Sequence, residues 1–525
     1  MQRLRGFPLV LIAVGLAARI APLLDLRGRN LTQFPSEDGY LMLTIARNIG
    51  LGRGMSIADG TIATNGTQPF MAYVYALAFW MVGGDKAWGV LLVQVFQIAI
   101  ALGAALLLYG VGRRILAGER DGDSVAALTA ALWFAGPLAV KHTQNCLETG
   151  AYALAILGVV ACLLRLPADP RPWPLRSCAG LGALLALAFW VRNDASLLVA
   201  AVCAGRVLPA LRGGFTALRA RVLEATAVGA TALAGAVPWL VHNVTQFGYL
   251  MPISGVAEAS GSVRGENLVD LPSALAEYVM VTFPIPSQLE AQPLVIAAST
   301  LVAVAGAAAA ALLAARVQPP ARRTFAILGL WALILLVFYG IFFGVGFFMS
   351  RYFFPLSPFL ALVTVYWGHR AWSALVPRLP LFRFAAPALL ALVVIGLDVR
   401  LYERGSNQGH FQVVEWIERN VPDDVWVGAV QTGTIGFFHD RTLNLDGKVN
   451  PDALKARLGH RTQEYVLESP IEYLTDWVGI ETWLHGTALE GRFEQLLFDR
   501  DRNLVVLRRL ASHPAPPTTA LGDSG

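Results

Sequence analysis

The segment Pro35-Ser36-Glu37-Asp38-Gly39-Tyr40 sets two adjacent carboxylates between the first long apolar run and an amphipathic stretch, residues 40–51. Acidic side chains are costly beside hydrocarbon, so a pair at the edge of a membrane segment points to chemistry at the membrane–water boundary. The same pair also suits the N-terminus of a solvated helix, where the dipole favours negative charge. The rest of the chain decides between the two.

Of the 525 residues, 55% are hydrophobic and only 15% charged, with a mean hydropathy of +0.54. Soluble domains carry about a quarter charged residues, so this composition is that of a polytopic membrane protein. The net charge of +5 comes from short basic loops between apolar runs, which is topological information and gives no nucleic-acid patch. Arg far outnumbers Lys and Ala is abundant, a bacterial, GC-rich signature. Cys146, Cys162, Cys178 and Cys203 lie in or beside apolar segments with no ligand spacing, and read as small buried hydrophobes. The first apolar run lacks an Ala-x-Ala-like cleavage site and is expected to remain as a helix.

Twelve runs approach the length needed to cross about 30 Å of hydrocarbon. They fall near 6–24, 69–84, 86–112, 124–143, 147–166, 177–191, 195–211, 223–244, 293–315, 325–347, 353–372 and 384–402. The expected fold is therefore a polytopic α-helical membrane module of 11–12 hydrophobic segments over residues 1–402. Clusters at Arg113/Arg114, Arg165/Arg171/Arg176, Arg212/Arg219/Arg221, Arg316/Arg322/Arg323 and Arg370/Arg378/Arg383 mark the cytoplasmic side by the positive-inside rule. One conflict remains. With the N-terminus inside, crossings by both 69–84 and 86–112 leave Arg113/Arg114 outside, unless the short 69–84 run is re-entrant or interfacial. From 403 the composition changes: Phe411, Val414 and Ile417 have helical spacing, and β-like runs follow at 425–430 and 504–507. Residues 403–512 read as a small extracytoplasmic α/β domain, and 513–525 as a disordered tail.

Several polar residues on the extracytoplasmic side are candidates for chemistry. Adjacent side chains face different ways, so one of Glu37 and Asp38 can act as a base while the other orients it or helps hold a divalent cation. Arg351, Arg192 and His242 sit in apolar settings that call for an anion; a lipid phosphate meets an Arg bidentately, and the alternative is an internal ion pair, Arg192 with Asp194 or Arg351 with a distant carboxylate. Tyr352 adjoins Arg351. Glu148 begins a helix, and Asn65 and Gln68 lie in a polar turn. Asn243, Asp446 and Lys448 belong to polar loops able to line or cover the site. Asn30, Asn65 and Asn243 match the N-glycosylation sequon, which carries little weight in a bacterial chain. The chain contains no P-loop, dinucleotide fingerprint, HExxH or GxSxG before a helix.

In this order the motifs resemble the GT-C superfamily of polytopic glycosyltransferases. The nearest likeness is to the mycobacterial terminal arabinofuranosyltransferase and its bacterial relatives; protein O-mannosyltransferases and the lipid A aminoarabinose transferase are more distant. Glu37-Asp38-Gly39-Tyr40 with Ala46-Arg47-Asn48 resembles the family's acidic-pair loop, where Asp-Asp is more usual. Leu147-Glu148-Thr149, Arg192-Asn193-Asp194, the Asn243–Pro252 loop, Arg351-Tyr352-x-x-Pro355 and the stretch from Ile435 through Asp446 to Pro451 resemble five further elements. Ile253-Ser254 departs from the Asn that usually follows the loop's Pro.

The resemblance implies an inverting transferase in a bacterial inner membrane, with its active site facing the periplasm. It would move a sugar from a polyprenyl-monophosphate carrier to an envelope glycan, lipid or protein. Asp38 and Glu37 would be catalytic, with Arg351, Arg192, His242 and Tyr352 on the donor phosphate. Asn65, Gln68, Glu148, Asp194, Asn243, Asp446 and Lys448 would bind substrate. A transporter or flippase is the rival reading; it calls for inverted repeats with matched broken helices, and no such repeat is visible.

Overall fold

A computed structural model describes residues 6–167, 171–343, 350–377, 382–405 and 410–516. Each of the twelve apolar runs carries a helix. The membrane part runs α1 (Phe7–Ile20), α2 (Glu37–Gly50), α3 (Pro69–Met81), α4 (Lys86–Ile115), α5 (Gly122–Ala135), α6 (Pro137–Thr143), α7 (Thr149–Leu163) and α8 (Leu175–Val191). It continues with α9 (Ala195–Val207), α10 (Phe215–Phe247), α11 (Ile253–Ser260), α12 (Leu271–Met280), α13 (Pro293–Arg316), α14 (Pro319–Val337), α15 (Ser357–Leu375) and α16 (Phe382–Arg404). Among the described residues, seven helices are long and apolar enough to cross a membrane, or eight if the bent pair α5–α6 counts as one span.

That bend, 61°, falls at Gly136-Pro137. A proline lacks the N–H that would continue the helical ladder and clashes with the preceding turn. Buried Arg19 of α1 takes up what the break releases: it donates to the carbonyls of Phe134 (2.8 Å) and Gly15 (3.0 Å) and to Thr143 Oγ1 (3.1 Å).

The bundle has two chemically distinct ends. At one, Arg370 and Tyr366 hold Glu119, Arg323 donates to the carbonyls of Leu163, Leu166 and Pro167, and Arg206 and Arg221 both pair with Glu224. At the other end lies α2. Helix α3 has 13 residues, about 20 Å, too short for a span. Both its ends are tied to the α2 end: Gln68 Oε1 accepts from Asn193 N (3.1 Å), and Gly84 O accepts from Arg47 Nε (2.8 Å). Helix α3 therefore returns to the side it left. Helix α4, capped by Asp85 on Trp88 N (2.9 Å), then carries Arg113/Arg114 to the Arg-rich end. The charge conflict in the sequence is removed.

The C-terminal part comprises α17 (Phe411–Asn420), β3 (Val427–Ala429), α18 (Gly433–Phe438), β4 (Thr442–Asn444), α19 (Pro451–Leu458), α20 (Thr462–Glu468), β5 (Tyr473–Asp476), β6 (Phe493–Asp499) and β7 (Leu504–Arg509). Strands β1 (Ser56–Ile57) and β2 (Ile62–Ala63) form a separate small hairpin after α2. The five-stranded sheet has the order β4-β3-β5-β7-β6, parallel across β4-β3-β5 and antiparallel beyond. Leu504 to Leu507 are all buried, as a strand covered on both faces requires. Val413, Val414 and Ile417 of α17 cover one face. Leu443, Ile471, Leu474, Val505 and Leu507 share a core with Ile45 of α2, Ile57 and Ala72 of α3. The sheet is thus packed down on the acidic-pair helix. The tail read as disordered lies outside the described residues from 517 onward.

Candidate functional site

Ser36 starts α2: its Oγ accepts from Gly39 N (3.1 Å) and donates to Asn145 O (3.3 Å). Gly39 has no room for a side chain, since a Cβ would lie 2.2 Å from Asn145 O. Glu37 and Asp38 then leave the helix about 100° apart and meet different partners.

Glu37 turns to the sheet domain. Its two carboxylate oxygens accept from Gly433 N (2.5 Å), Thr434 N (3.1 Å) and Thr434 Oγ1 (2.5 Å), capping α18 from another part of the chain. A Cβ on Gly433 would stand 1.8 Å from Glu37 O, so only glycine allows this approach. Burial outweighs these three donors and pushes the Glu37 carboxyl up to about 7. Asp476 secures the adjoining loop, accepting from Val430 N (2.6 Å), Gln431 N (3.0 Å) and Trp477 N (2.8 Å); burial raises it to about 8.

Asp38 turns to cations. Its Oδ2 accepts from Arg351 Nη2 at 2.6 Å. Arg351 lies in the turn Ser350–Leu356, held by Tyr278 OH on Ser350 O (2.8 Å). Burial alone would raise the Asp38 carboxyl, but Arg351 and Lys448 together overcome it and hold it below its ordinary range. Lys448 reaches the same region from the sheet domain. Its Nζ pairs with Glu258 Oε1 of α11 at 2.6 Å and lies 3.8 Å from Asp446 Oδ2. The loop bearing it is tightly turned: Asp446 Oδ1 accepts from Lys448 N (2.8 Å), and a Cβ on Gly66 would lie 2.1 Å from Lys448 O.

A second charged group adjoins the first. Arg192 is buried and pairs with Glu148 (3.0 Å) and Asp194 (2.8 Å); Tyr339 OH donates to Asp194 (2.5 Å). Tyr352 stacks on Tyr339 (4.5 Å between centroids), with Arg192 and Arg351 over its ring at 5.3 and 5.8 Å. Two carboxylates already balance Arg192, the internal pairing weighed above, whereas Arg351 has one. Asn65 and Asn243, both fully buried, clamp each other (2.9 Å). Asn65 Oδ1 accepts from Ile253 N (3.1 Å), and Asn243 Nδ2 donates to Leu250 O (3.1 Å). They shape the loop into α11, while Gln68 is spent on Asn193 N in the turn between α8 and α9. His242 is exposed, stacked on Trp239 and edge-on to Phe247. The histidine on the Arg351 side is His142, whose Nε2 is 3.5 Å from the Tyr278 hydroxyl that fixes Ser350.

Glu258 is the participant that sequence reasoning missed. A lone acid among Gly255, Val256, Ala257, Ala259 and Ser260 was its only signal. The carboxylate pair does not suit a divalent cation. Glu37 spends both oxygens on α18, Asp38 faces a guanidinium, and no three His, Cys, Asp or Glu side chains converge among the described residues.

These features define a polytopic α-helical membrane protein with a C-terminal sheet domain closing over an acidic site. The chain is similar over 98% of its length to 99% of the crystallised ArnT from Cupriavidus metallidurans bound to undecaprenyl phosphate (14% identity, TM-score 0.57). The apo state of that ArnT superposes equally well. The archaeal oligosaccharyltransferase AglB from Archaeoglobus fulgidus, in complex with an inhibitory peptide and a dolichol-phosphate, aligns over 91% of this chain and 70% of that one (12% identity, TM-score 0.49). Residues 399–509 match a family described as a domain of unknown function, DUF8728. No curated protein sequence matches the chain.

Proposed function

We propose that this protein is an inverting glycosyltransferase. It moves a sugar from a polyprenyl-monophosphate carrier to a cell-envelope glycan, lipid or protein, at the periplasmic face of a bacterial inner membrane. The observation that carries this reading is the Asp38–Arg351 pair at the membrane edge of a fold shared with an undecaprenyl-phosphate-bound protein. The likeness of the sequence motifs to the mycobacterial terminal arabinofuranosyltransferase makes a pentose the first donor to try.

The chemistry conserves charge within the site. The acceptor hydroxyl attacks the anomeric carbon and gives its proton to Asp38, which becomes neutral. The anomeric C–O bond breaks, its electron pair stays on the phosphate, and the singly charged phosphodiester becomes a phosphomonoester carrying close to two negative charges. Arg351 is the group that follows this movement, paired with Asp38 before transfer and with the leaving phosphate after it. Losing Arg351 to the phosphate also raises the proton affinity of buried Asp38 as the proton must be taken up. Glu37 holds α18 of the sheet domain over the reaction.

The test is release of undecaprenyl phosphate from radiolabelled pentosyl- and hexosyl-phosphoundecaprenol by the purified full chain. Transfer that disappears in Asp38→Asn supports the reading. A turnover unchanged by Asp38→Asn, or no release from any donor offered, rejects it.

A further inference from the structure

Among the described residues, Lys448 is the one lysine paired at this site, and it comes from the sheet domain. Its ammonium is parked on Glu258 at 2.6 Å, with Asp446 at 3.8 Å, and it acts electrostatically on Asp38. Glu258 belongs to α11, whose Ile253 and Ala257 are buried against Leu454 of α19 in the same sheet domain. One ion pair therefore joins two parts of the chain: the loop that Asn65 and Asn243 hold, and the sheet domain that Glu37 holds.

Counting charges shows what the arrangement lacks. Lys448 and Arg351 face Asp38, Glu258 and Asp446, and Arg192 is already committed to two carboxylates, Glu148 and Asp194. A phosphomonoester approaching two negative charges needs about two cations. Arg351 supplies one. Lys448 has the reach and flexible stem to supply the other as a compact point charge.

We propose that Lys448 is the second cation of the donor-phosphate site, and that Glu258 holds it in reserve until phosphate replaces the carboxylate. The inference rests on the donor reading above. It gives the domain of unknown function a part in that reaction: it delivers a phosphate ligand to the membrane site. Glu258 is then a positioning residue that competes with phosphate for Lys448. A bridge serving only as a fastener makes the opposite prediction for Glu258.

The test is equilibrium binding of undecaprenyl phosphate in detergent to the full chain and to Lys448→Met, Lys448→Arg and Glu258→Gln, each checked by thermal unfolding. Lys448→Met should weaken binding about tenfold or more and Lys448→Arg much less, since one charge-assisted hydrogen bond is lost and then largely restored. Glu258→Gln should tighten it, because the competing carboxylate is gone. Wild-type binding that Lys448→Met leaves unchanged overturns the inference and leaves the donor reading standing. Weakening by Glu258→Gln makes the bridge a fastener and overturns the inference too. Failure of the wild type to bind undecaprenyl phosphate overturns the donor reading itself. Should Lys448→Met not fold, the sign of the Glu258→Gln change decides.

Discussion

Asp38→Asn preserves the shape that Arg351 holds but cannot take up a proton. Transfer should fall about 10²–10⁴-fold, the usual weight of a general base, while the purified protein keeps its thermal stability. Glu37→Gln should behave otherwise. Its amide still accepts from one α18 N–H but turns a donor toward the other, so stability drops by about 1–2 kcal/mol and some transfer remains. Glu37 also carries a pH signature. Its carboxyl titrates at about 7 in the folded protein against 4.5 when free, so the fold favours the protonated form. That contribution is complete below 4.5 and is lost as pH rises through 7. Thermal unfolding of wild type and Glu37→Gln at pH 5 and pH 8 should therefore show the wild-type advantage shrinking at the higher pH; a constant difference contradicts the burial argument. The sequence marked this acidic pair by its place beside a membrane run. It could not say which carboxylate does what, because their partners lie 313 and 396 residues away.

Two elements depend on contacts that tolerate no substitution. A methyl group on Gly433 collides with the Glu37 carbonyl oxygen at 1.8 Å, so Gly433→Ala must push α18 off α2. Transfer should fall more than tenfold although no reacting group changes, and hydrogen exchange should rise at residues 433–438 while β7 stays protected. Asn65→Ala leaves Ile253 N and Asn243 Oδ1 buried without partners, at a cost of about 1–3 kcal/mol measurable by thermal unfolding. The helices of the twelve apolar runs were legible from length and hydropathy, as were α17 and the runs that became β3 and β7, but α11, α12 and α18 to α20 were not. Strands β4, β5 and β6 were not. Thr442–Asn444 is short and polar, and the partly exposed β6 follows no alternating apolar pattern, so pairing and not local preference creates them.

At the scale of the whole molecule, the positioning of α3 is the feature that organises the rest. A membrane-impermeant maleimide should reach Gly83→Cys from the same side as Thr32→Cys, and Arg120→Cys only from the other, in vesicles of known orientation. Labelling of Gly83→Cys together with Arg120→Cys would mean that α3 crosses. The sequence posed this question through the misplaced Arg113/Arg114 but could not answer it, since the apolar run 69–84 suits either a short span or a surface helix. The answer has an arithmetic consequence. Twelve crossings, an even number, would return the sheet domain to the side on which α1 begins. Taking α3 out of the count changes its parity, and with it the side on which the domain after the last helix falls relative to α1. One helix that turns back is what lets a domain joined to the last span reach a carboxylate placed just after the first.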